Sequence, residues 1–338
     1  MRFGVYNAVL HHLPLEEALD EVAALGLDGM EVNSGGFLPP THLPLEEILR
    51  DDDAARRYLD AFQSRGLEIL GLNCNGNPLN PDPAIGPEDA EDIRRSIRVA
   101  AALGQKRVVT MSGLPGSDPG AAYPAWNINT WGSRALDSLE WQWDRACEFW
   151  AEIDQLAREH EVKVALELHP QNLVFNPPTA RRLVERIGAT HIGVELDASH
   201  LFWQQMDPVA CVDWLGELVL HAAAKDVRIN RENAAIFGVL DERFRRLGPE
   251  EQRTHMGGDE YANEWPQDSA WDFVALGVGH SADYWAEFIR ALEQVERRTG
   301  ETLCLNIEHE DTSMGPLEGL EYAAQTLFTA ARKAGIRR

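Results

Sequence analysis

Positive charge is scarce in this chain. Its 338 residues carry 31 lysines and arginines against 55 aspartates and glutamates, a formal net charge of −24. An anionic surface of that kind repels phosphate backbones and acidic headgroups, which disfavours non-specific binding to nucleic acid or to anionic membrane. Cysteine is also sparse. Cys74, Cys147, Cys211 and Cys304 are widely spaced without a CxxC pair, which argues against a zinc knuckle or a disulfide framework and fits a reducing cytoplasm. The N-terminus, MRFGVYNAVLHH, lacks the apolar core of a signal peptide, and no apolar run approaches the roughly 20 residues of a membrane span. No GxGxxG follows the first strand, no P-loop is visible, and no solenoid period or low-complexity tract stands out.

What the chain does contain is a strand pattern that recurs in phase. In VKVALELHP, Val162, Val164, Leu166 and Leu168 share one face, and Lys163, Ala165, Glu167 and His169 the other, because strand side chains alternate. HIGVELDASH places Ile192, Val194 and Leu196 against Gly193, Glu195 and Asp197. LVLHAAAKD places Leu218, Leu220, Ala222 and Ala224 against His221, Ala223 and Lys225, and LCLNIEHED places Leu303, Leu305 and Ile307 against Cys304, Asn306 and Glu308. Glu167, Asp197, His221 and Glu308 therefore share one parity on four strands. An apolar outer face with acids at the end of the inner one suits a closed barrel wrapped in helices, with the acids at its mouth.

The order of elements agrees. The first strand, RFGVYNAVL, leads to a helix over Leu15–Leu25, stopped by Gly26. GMEVNSG is the second strand, with Glu31 and Asn33 inward, followed by a Gly/Pro-rich loop carrying His42. A helix over Asp51–Arg65 leads to EILGLNCNGNPLNP, which ends in Asn73, Asn75 and Asn77. Helices over Pro87–Leu103, Ser138–His160, Thr179–Ile187, Pro208–Leu215, Tyr284–Thr299 and Leu317–Ala334 separate the remaining strands, and a loop with Trp126 and Trp131 follows the fourth. Eight strand–helix pairs predict an α/β fold, a single (β/α)8 TIM barrel over 1–338. The irregular stretch at about 228–280, after strand seven, is long enough to be a lid or an interface.

The segments ALDEVAALGLDGMEV, LELHPQNLVFNPPT, GVELDASHLFWQQMDP, HAAAKD and NIEHED together resemble the xylose isomerase-like barrels, the sugar phosphate isomerase/epimerase superfamily. The wording GGFLPP, SHLFWQ, GVLD and EHED is further similar to a narrower branch, the catalytic subunits of C-glycoside deglycosidases, which act on 3-oxo-glycosides with a small β-sandwich partner. The superfamily resemblance implies one divalent metal, usually manganese, on Glu, Asp, His and Glu of strands five to eight. Carried over, Glu167, Asp197 and Glu308 fit. The fourth position does not, because the family's HxHxKD reads His221-Ala222-Ala223-Ala224-Lys225-Asp226 here and puts Ala223 where the ligand belongs. His221 has the right parity but lies one pleat deeper, roughly 6.5 Å along the strand. Three outcomes stay open. His221 reaches the metal, or another group (His200, His255, His280 or a water) takes the place, or the metal is lost. Retention is expected, since inward carboxylates without a cation would repel one another. Oxygen-rich ligation favours Mn²⁺ or Mg²⁺ over Zn²⁺.

The resemblance implies proton abstraction next to a carbonyl of a keto-sugar, giving isomerisation or epimerisation, with Glu167 and Glu308 transferring the proton and His200 at the substrate. Loss of a β-substituent instead would make the protein a lyase of the C-glycoside deglycosidase kind. A metal-free binding or scaffold subunit is the non-enzymatic alternative, and DNA repair on the same scaffold is disfavoured by the charge. The metal set expected is Glu167, Asp197, His221 and Glu308. The substrate set is His42, Asn73, Asn75, Trp126, His169, His200 and Lys225, with Lys225 and Asp226 expected to pair. The expected partners are a carbohydrate or glycoside, a second copy of the chain, and on the narrower resemblance a β-sandwich subunit.

Overall fold

The computed structural model describes residues 1–251, 261 and 263–336. Eight parallel strands close into a barrel in the ring order β1-β2-β3-β4-β5-β6-β7-β10. They are β1 (Arg2–Tyr6), β2 (Gly29–Asn33), β3 (Glu68–Asn73), β4 (Arg107–Met111), β5 (Lys163–Glu167), β6 (Ile192–Asp197), β7 (Val219–Ala224) and β10 (Cys304–Ile307). Around them run α1 (Leu15–Ala24), α2 (Leu45–Ile48), α3 (Asp52–Gln63), α4 (Gly86–Ala102), α5 (Ser133–Glu159), α6 (Pro177–Ile187), α7 (Ala198–Trp203), α8 (Pro208–Leu215), α10 (Ala282–Thr299) and α11 (Pro316–Ala334), with α9 (Arg231–Phe237) in the insertion. The (β/α)8 barrel read from the sequence is the fold found.

The helix ends follow local chemistry. Asp51 caps α3 by accepting from the Asp53 amide, and Asn176 and Thr179 form a reciprocal capping box at the start of α6, which Gly188 ends in a left-handed conformation. The core lies between helices and sheet. Outward residues such as Val164, Leu166, Val194 and Leu196 pack with Trp143, Trp150 and Trp285, all buried, and Trp150 Nε1 donates to the Ser112 carbonyl at 3.0 Å. Among the described residues no helix is long and apolar enough to cross a membrane.

Two bulges break the simple alternation. Val194 pairs with Val219 but Glu195 pairs with His221, so Leu220 is an extra residue in β7. Likewise Met30 pairs with Ile69 and Glu31 with Gly71, so Leu70 is extra in β3. A bulge turns two neighbouring side chains where alternation allows one. Leu220 therefore leaves the outer layer expected for it beside Ala222 and Ala224. It packs inside with Val109 and Ala165. A methyl on Gly193 would meet Leu220 Cγ at 2.6 Å, and one on Gly4 would meet Leu70 Cδ1. Glycine at these two positions makes room for the leucines that floor the barrel.

The insertion is more regular than the sequence suggested. β8 (Asp226–Ile229) and β9 (Trp271–Val274) pair antiparallel as a separate two-stranded sheet. The Lys225–Asp226 pair expected from the sequence is corrected by the structure: Asp226 turns to the backbone of the returning chain. One carboxylate oxygen accepts from the amides of Gly277 (2.9 Å), Gly279 (3.1 Å) and His280 (2.9 Å), and the other meets the Val227 amide (2.8 Å) and His280 Nδ1 (2.7 Å). Successive side chains of a strand point oppositely, so Lys225 and Asp226 cannot serve one site. Asp226→Ala should cost about 3 kcal/mol or more, because one buried amide and three in the turn leading into α10 lose a shared carboxylate acceptor. Denaturant unfolding checks this, and a loss under about 1 kcal/mol would refute the role given to Asp226.

Candidate active site

The barrel mouth gathers side chains from four strands and the short helix after β6. Glu167 ends β5, Asp197 ends β6, Lys225 follows β7 and Glu308 follows β10. His200 is placed by α7, whose first turn is capped by Asp197 Oδ1 accepting from the Ser199 amide at 2.8 Å. His200 Nε2 lies 3.4 Å from Glu167 Oε1 and 3.4 Å from Asp197 Oδ2. Glu167 Oε2 accepts from Asn75 Nδ2 at 2.6 Å. Lys225 Nζ sits 3.2 Å from Glu308, 2.9 Å from Glu310 and 3.9 Å from Asp197. Phe273 of β9 walls this group, its ring centroid 4.5 Å from the ammonium and 5.6 Å from the His200 ring.

Burial shapes the charges. Asp197 is fully enclosed, and burial pushes its carboxyl up to about 7, Lys225 pulling the other way and Glu167 adding to the rise. Burial also works against the Lys225 charge, but Glu308, Glu310, Asp197 and Glu167 outweigh it and hold the ammonium well above the ordinary lysine range. His200 is held neutral, first by burial and then by His169 and Lys225. One ammonium among four carboxylates leaves room for further positive charge.

A second polar layer lies beneath. Glu31 Oε1 accepts from Asn73 Nδ2 at 2.8 Å, and Oε2 from Asn306 Nδ2 at 2.7 Å and His221 Nε2 at 2.8 Å. These contacts overcome the cost of burial and keep Glu31 ionised. Glu195 lies in the same layer; burial, with Glu31 and Glu167 nearby, drives its carboxyl well above the usual range.

The expected site residues separate accordingly. Glu167, Asp197, Glu308, His200, His169, Lys225 and Asn75 come together. His169 stacks edge-on to His200 at 4.1 Å. Four do not join them. His221 is a member of the lower layer, where the β7 bulge sets it. Asn73 is spent on Glu31 and on the Asn75 amide. His42 has both ring nitrogens engaged, with Asn7 Nδ2 at 3.1 Å and the Leu13 carbonyl at 2.8 Å, which leaves none for a sugar. Trp126 lies in a cleft of about 460 Å³ with Phe175, Trp203, Asn127, Asn172 and Leu240. Glu310 and Phe273 were not expected. Glu310 was legible as the next inward position after Glu308, whereas Phe273 arrives from a distant strand.

The four-ligand metal set implied by the resemblance is not assembled. Ala223 stands beside Asp197 in register and offers a methyl, His221 is bonded to Glu31, and Glu308 is bonded to Lys225. Asp226 occupies His280 Nδ1, and His255 lies outside the described residues. Donors suited to a divalent ion nevertheless remain. Asp197 Oδ2 and both nitrogens of His200 are buried without a hydrogen-bond partner. Glu167, His169 and His200 offer atoms within 4.8 Å of one another, as do Glu31, Glu195 and His221 below.

A (β/α)8 barrel with carboxylates and imidazoles converging at the C-terminal mouth defines a class of barrels built for chemistry at that face. Residues 19–326 match the model of the xylose isomerase-like TIM barrels, and the chain belongs to that family. It is 33% identical over 331 residues, 97% of this chain and 98% of the other, to the uncharacterized protein YfiH of Bacillus subtilis (strain 168). Three solved structures share the fold at low identity. The probable 3-DHS dehydratase AsbF of Bacillus anthracis superposes with a TM-score of 0.62 at 15% identity, over 97% of this chain and 99% of that one. The IOLI protein with a bound zinc atom gives 0.59 at 18%, over 99% and 98%. The 3-keto-D-glucoside 4-epimerase YcjR of E. coli gives 0.54 at 14%, over 96% and 99%.

Proposed function

We propose that the protein is a divalent-metal-dependent enzyme that moves a proton at the carbon beside a carbonyl of a sugar or sugar derivative, giving isomerisation or epimerisation. The observation that carries this reading is the convergence of Glu167, Asp197 and Glu308 with a neutral imidazole and a buried ammonium. Family membership and an epimerase of the same fold support it. Glu167 and Asp197 would hold the cation, manganese being the first candidate, and when bound it would polarise the substrate carbonyl. The remaining work falls to side chains. Glu167, fixed through Oε2 by Asn75, takes the proton. Glu308, steered by Lys225, returns one from its own side of the barrel. Lys225 offers N–H donors where charge develops on a substrate oxygen. Phe273 covers the group and keeps water out.

The aromatic cleft favours a second reading on the same residues. Trp126 and Phe175 meet edge-on at 5.2 Å, and Trp203 is stacked on Trp271 at 4.8 Å. Such a cleft, lined by Trp203 of the same helix that places His200, suits a substrate longer than a free sugar, such as a 3-oxo-glycoside. Proton loss next to its carbonyl with departure of a β-substituent would then release an aglycone, and a β-sandwich subunit would be a natural partner.

Incubation with a set of ketoses and 3-oxo-glucosides in D₂O, followed by NMR, tests both. Deuterium at one carbon with an isomeric product supports the epimerase, and aglycone release supports the lyase. Failure of every substrate to exchange under saturating Mn²⁺, Zn²⁺ or Mg²⁺ would leave the binding-subunit alternative in possession.

A further inference from the structure

We infer that the metal of this barrel is held on its β5–β6 side by Glu167, His169 and His200, with Asp197 beside them, and that the Lys225 ammonium takes over the β7–β10 side. The inference rests on the metal reading above and changes which residues bind the ion.

Three observations lead there. First, the β7–β10 side has lost its capacity. Ala223 brings no donor, His221 is committed to Glu31, and Lys225 already contacts Glu308 and Glu310 at 3.2 and 2.9 Å. Second, the β5–β6 side has donors without partners. Both nitrogens of His200 and Asp197 Oδ2 lack hydrogen bonds although buried, and leaving such groups unmade costs roughly 1–3 kcal/mol each. Third, the spacing is that of a coordination sphere. Two ligands each about 2.1 Å from an ion lie about 3.0 Å apart in an octahedron and about 3.4 Å apart in a tetrahedron. His200 Nε2 is 3.4 Å from an oxygen of Glu167 and 3.4 Å from one of Asp197.

His169 is prepared in the way metal-ligating histidines are. Its Nδ1 lies 2.6 Å from the Pro170 carbonyl. A carbonyl only accepts, so Nδ1 carries the proton and Nε2 the lone pair. The resulting sphere has two imidazoles and two carboxylates in place of one imidazole and three carboxylates. The extra imidazole moves the preference away from Mg²⁺ and towards Mn²⁺, Fe²⁺, Co²⁺ or Zn²⁺.

The test is calorimetric titration of the chelator-treated full-length protein with Zn²⁺ and Mn²⁺, together with the visible absorption of its Co²⁺ form. Wild type should bind one ion per chain. His200→Ala and His169→Ala should each weaken binding at least about tenfold and alter the Co²⁺ bands, with circular dichroism confirming the fold, whereas His221→Asn should leave both unchanged. Wild-type affinity and spectrum in both the His200 and His169 variants would overturn the assignment, as would their loss in His221→Asn alone. Wild type that takes up no ion would overturn the metal itself. Deuterium exchange in that metal-free protein would still leave the proton-transfer reading standing.

Discussion

Glu167→Gln should lower the rate of deuterium exchange into substrate by about 10²–10⁴-fold, the range a positioned base contributes. The change removes the basic oxygen and also the charge of a carboxylate proposed to hold the ion, so exchange is compared at saturating metal. Asn75 Nδ2, now 2.6 Å from Oε2, still finds an amide carbonyl, so the fold and the substrate cleft should persist. The loss therefore falls on kcat more than on KM. Asn75→Ala separates positioning from chemistry. It leaves the carboxylate in place but frees its orientation, and should cost roughly tenfold in kcat. A Glu167→Gln protein that exchanges deuterium at more than about one tenth of the wild-type rate would remove Glu167 from the role of base.

Lys225→Met should be the most damaging substitution for stability. The ammonium is 4% exposed and is the cation shared by Asp197, Glu308 and Glu310. Removing one member of a buried charge group leaves the rest uncompensated, which typically costs about 3–5 kcal/mol. The loss should depend on pH with a definite sign. Asp197 already titrates at about 7 in the fold because burial disfavours its charge, so the folded protein holds a proton there that the unfolded chain, titrating near 4, releases. Stability from that proton is present at pH 5 and lost as pH rises through 7. Without Lys225 the carboxyl should rise further, so the chelated variant should lose more relative to wild type at pH 8 than at pH 5. Denaturant midpoints at the two pH values decide it. An equal loss at both would mean that the ammonium does not neutralise Asp197.

Most of the barrel was legible because it depends on period-two alternation, and eight strands repeat the rule. Glu167, Asp197 and Glu308 could be placed at one mouth for the same reason. Lys225 and Asp226 show where reading fell short of the rule. Strict alternation sends them to opposite faces, yet as adjacent opposite charges they read as a pair. Leu220 and His221 mark a physical limit. A bulge is one added residue in one strand, and a single sequence gives it no distinguishing composition, so the depth of His221 could not be read. Phe273 is hidden for another reason. Its strand pairs with residues more than forty positions earlier, and no local pattern encodes that contact. The vacancy at Ala223 was visible in the sequence. His200 was among the groups the sequence offered in its place, but the choice of His200 over the others, and the part taken by Lys225 after β7, could be made only in space.

The Asp226 carboxylate has a consequence for how this scaffold can change. It ties Val227, where the insertion leaves the barrel, to Gly277–His280, where the chain returns. The β8–β9 pair above it brings the two legs side by side, so the excursion begins and ends at one knot. Whatever lies between Asn230 and Ala270 can then be lengthened, shortened or exchanged with no change in the separation of β7 and α10. Phe273 stays on the fixed stem and Trp126, Phe175 and Trp203 of the aromatic cleft lie before the excursion, while Val239 and Leu240 belong to the replaceable part. Related chains could in this way trade substrate reach without disturbing the carboxylates, and a graft of a foreign loop at Asn230 and Ala270 is the natural place to begin redesign.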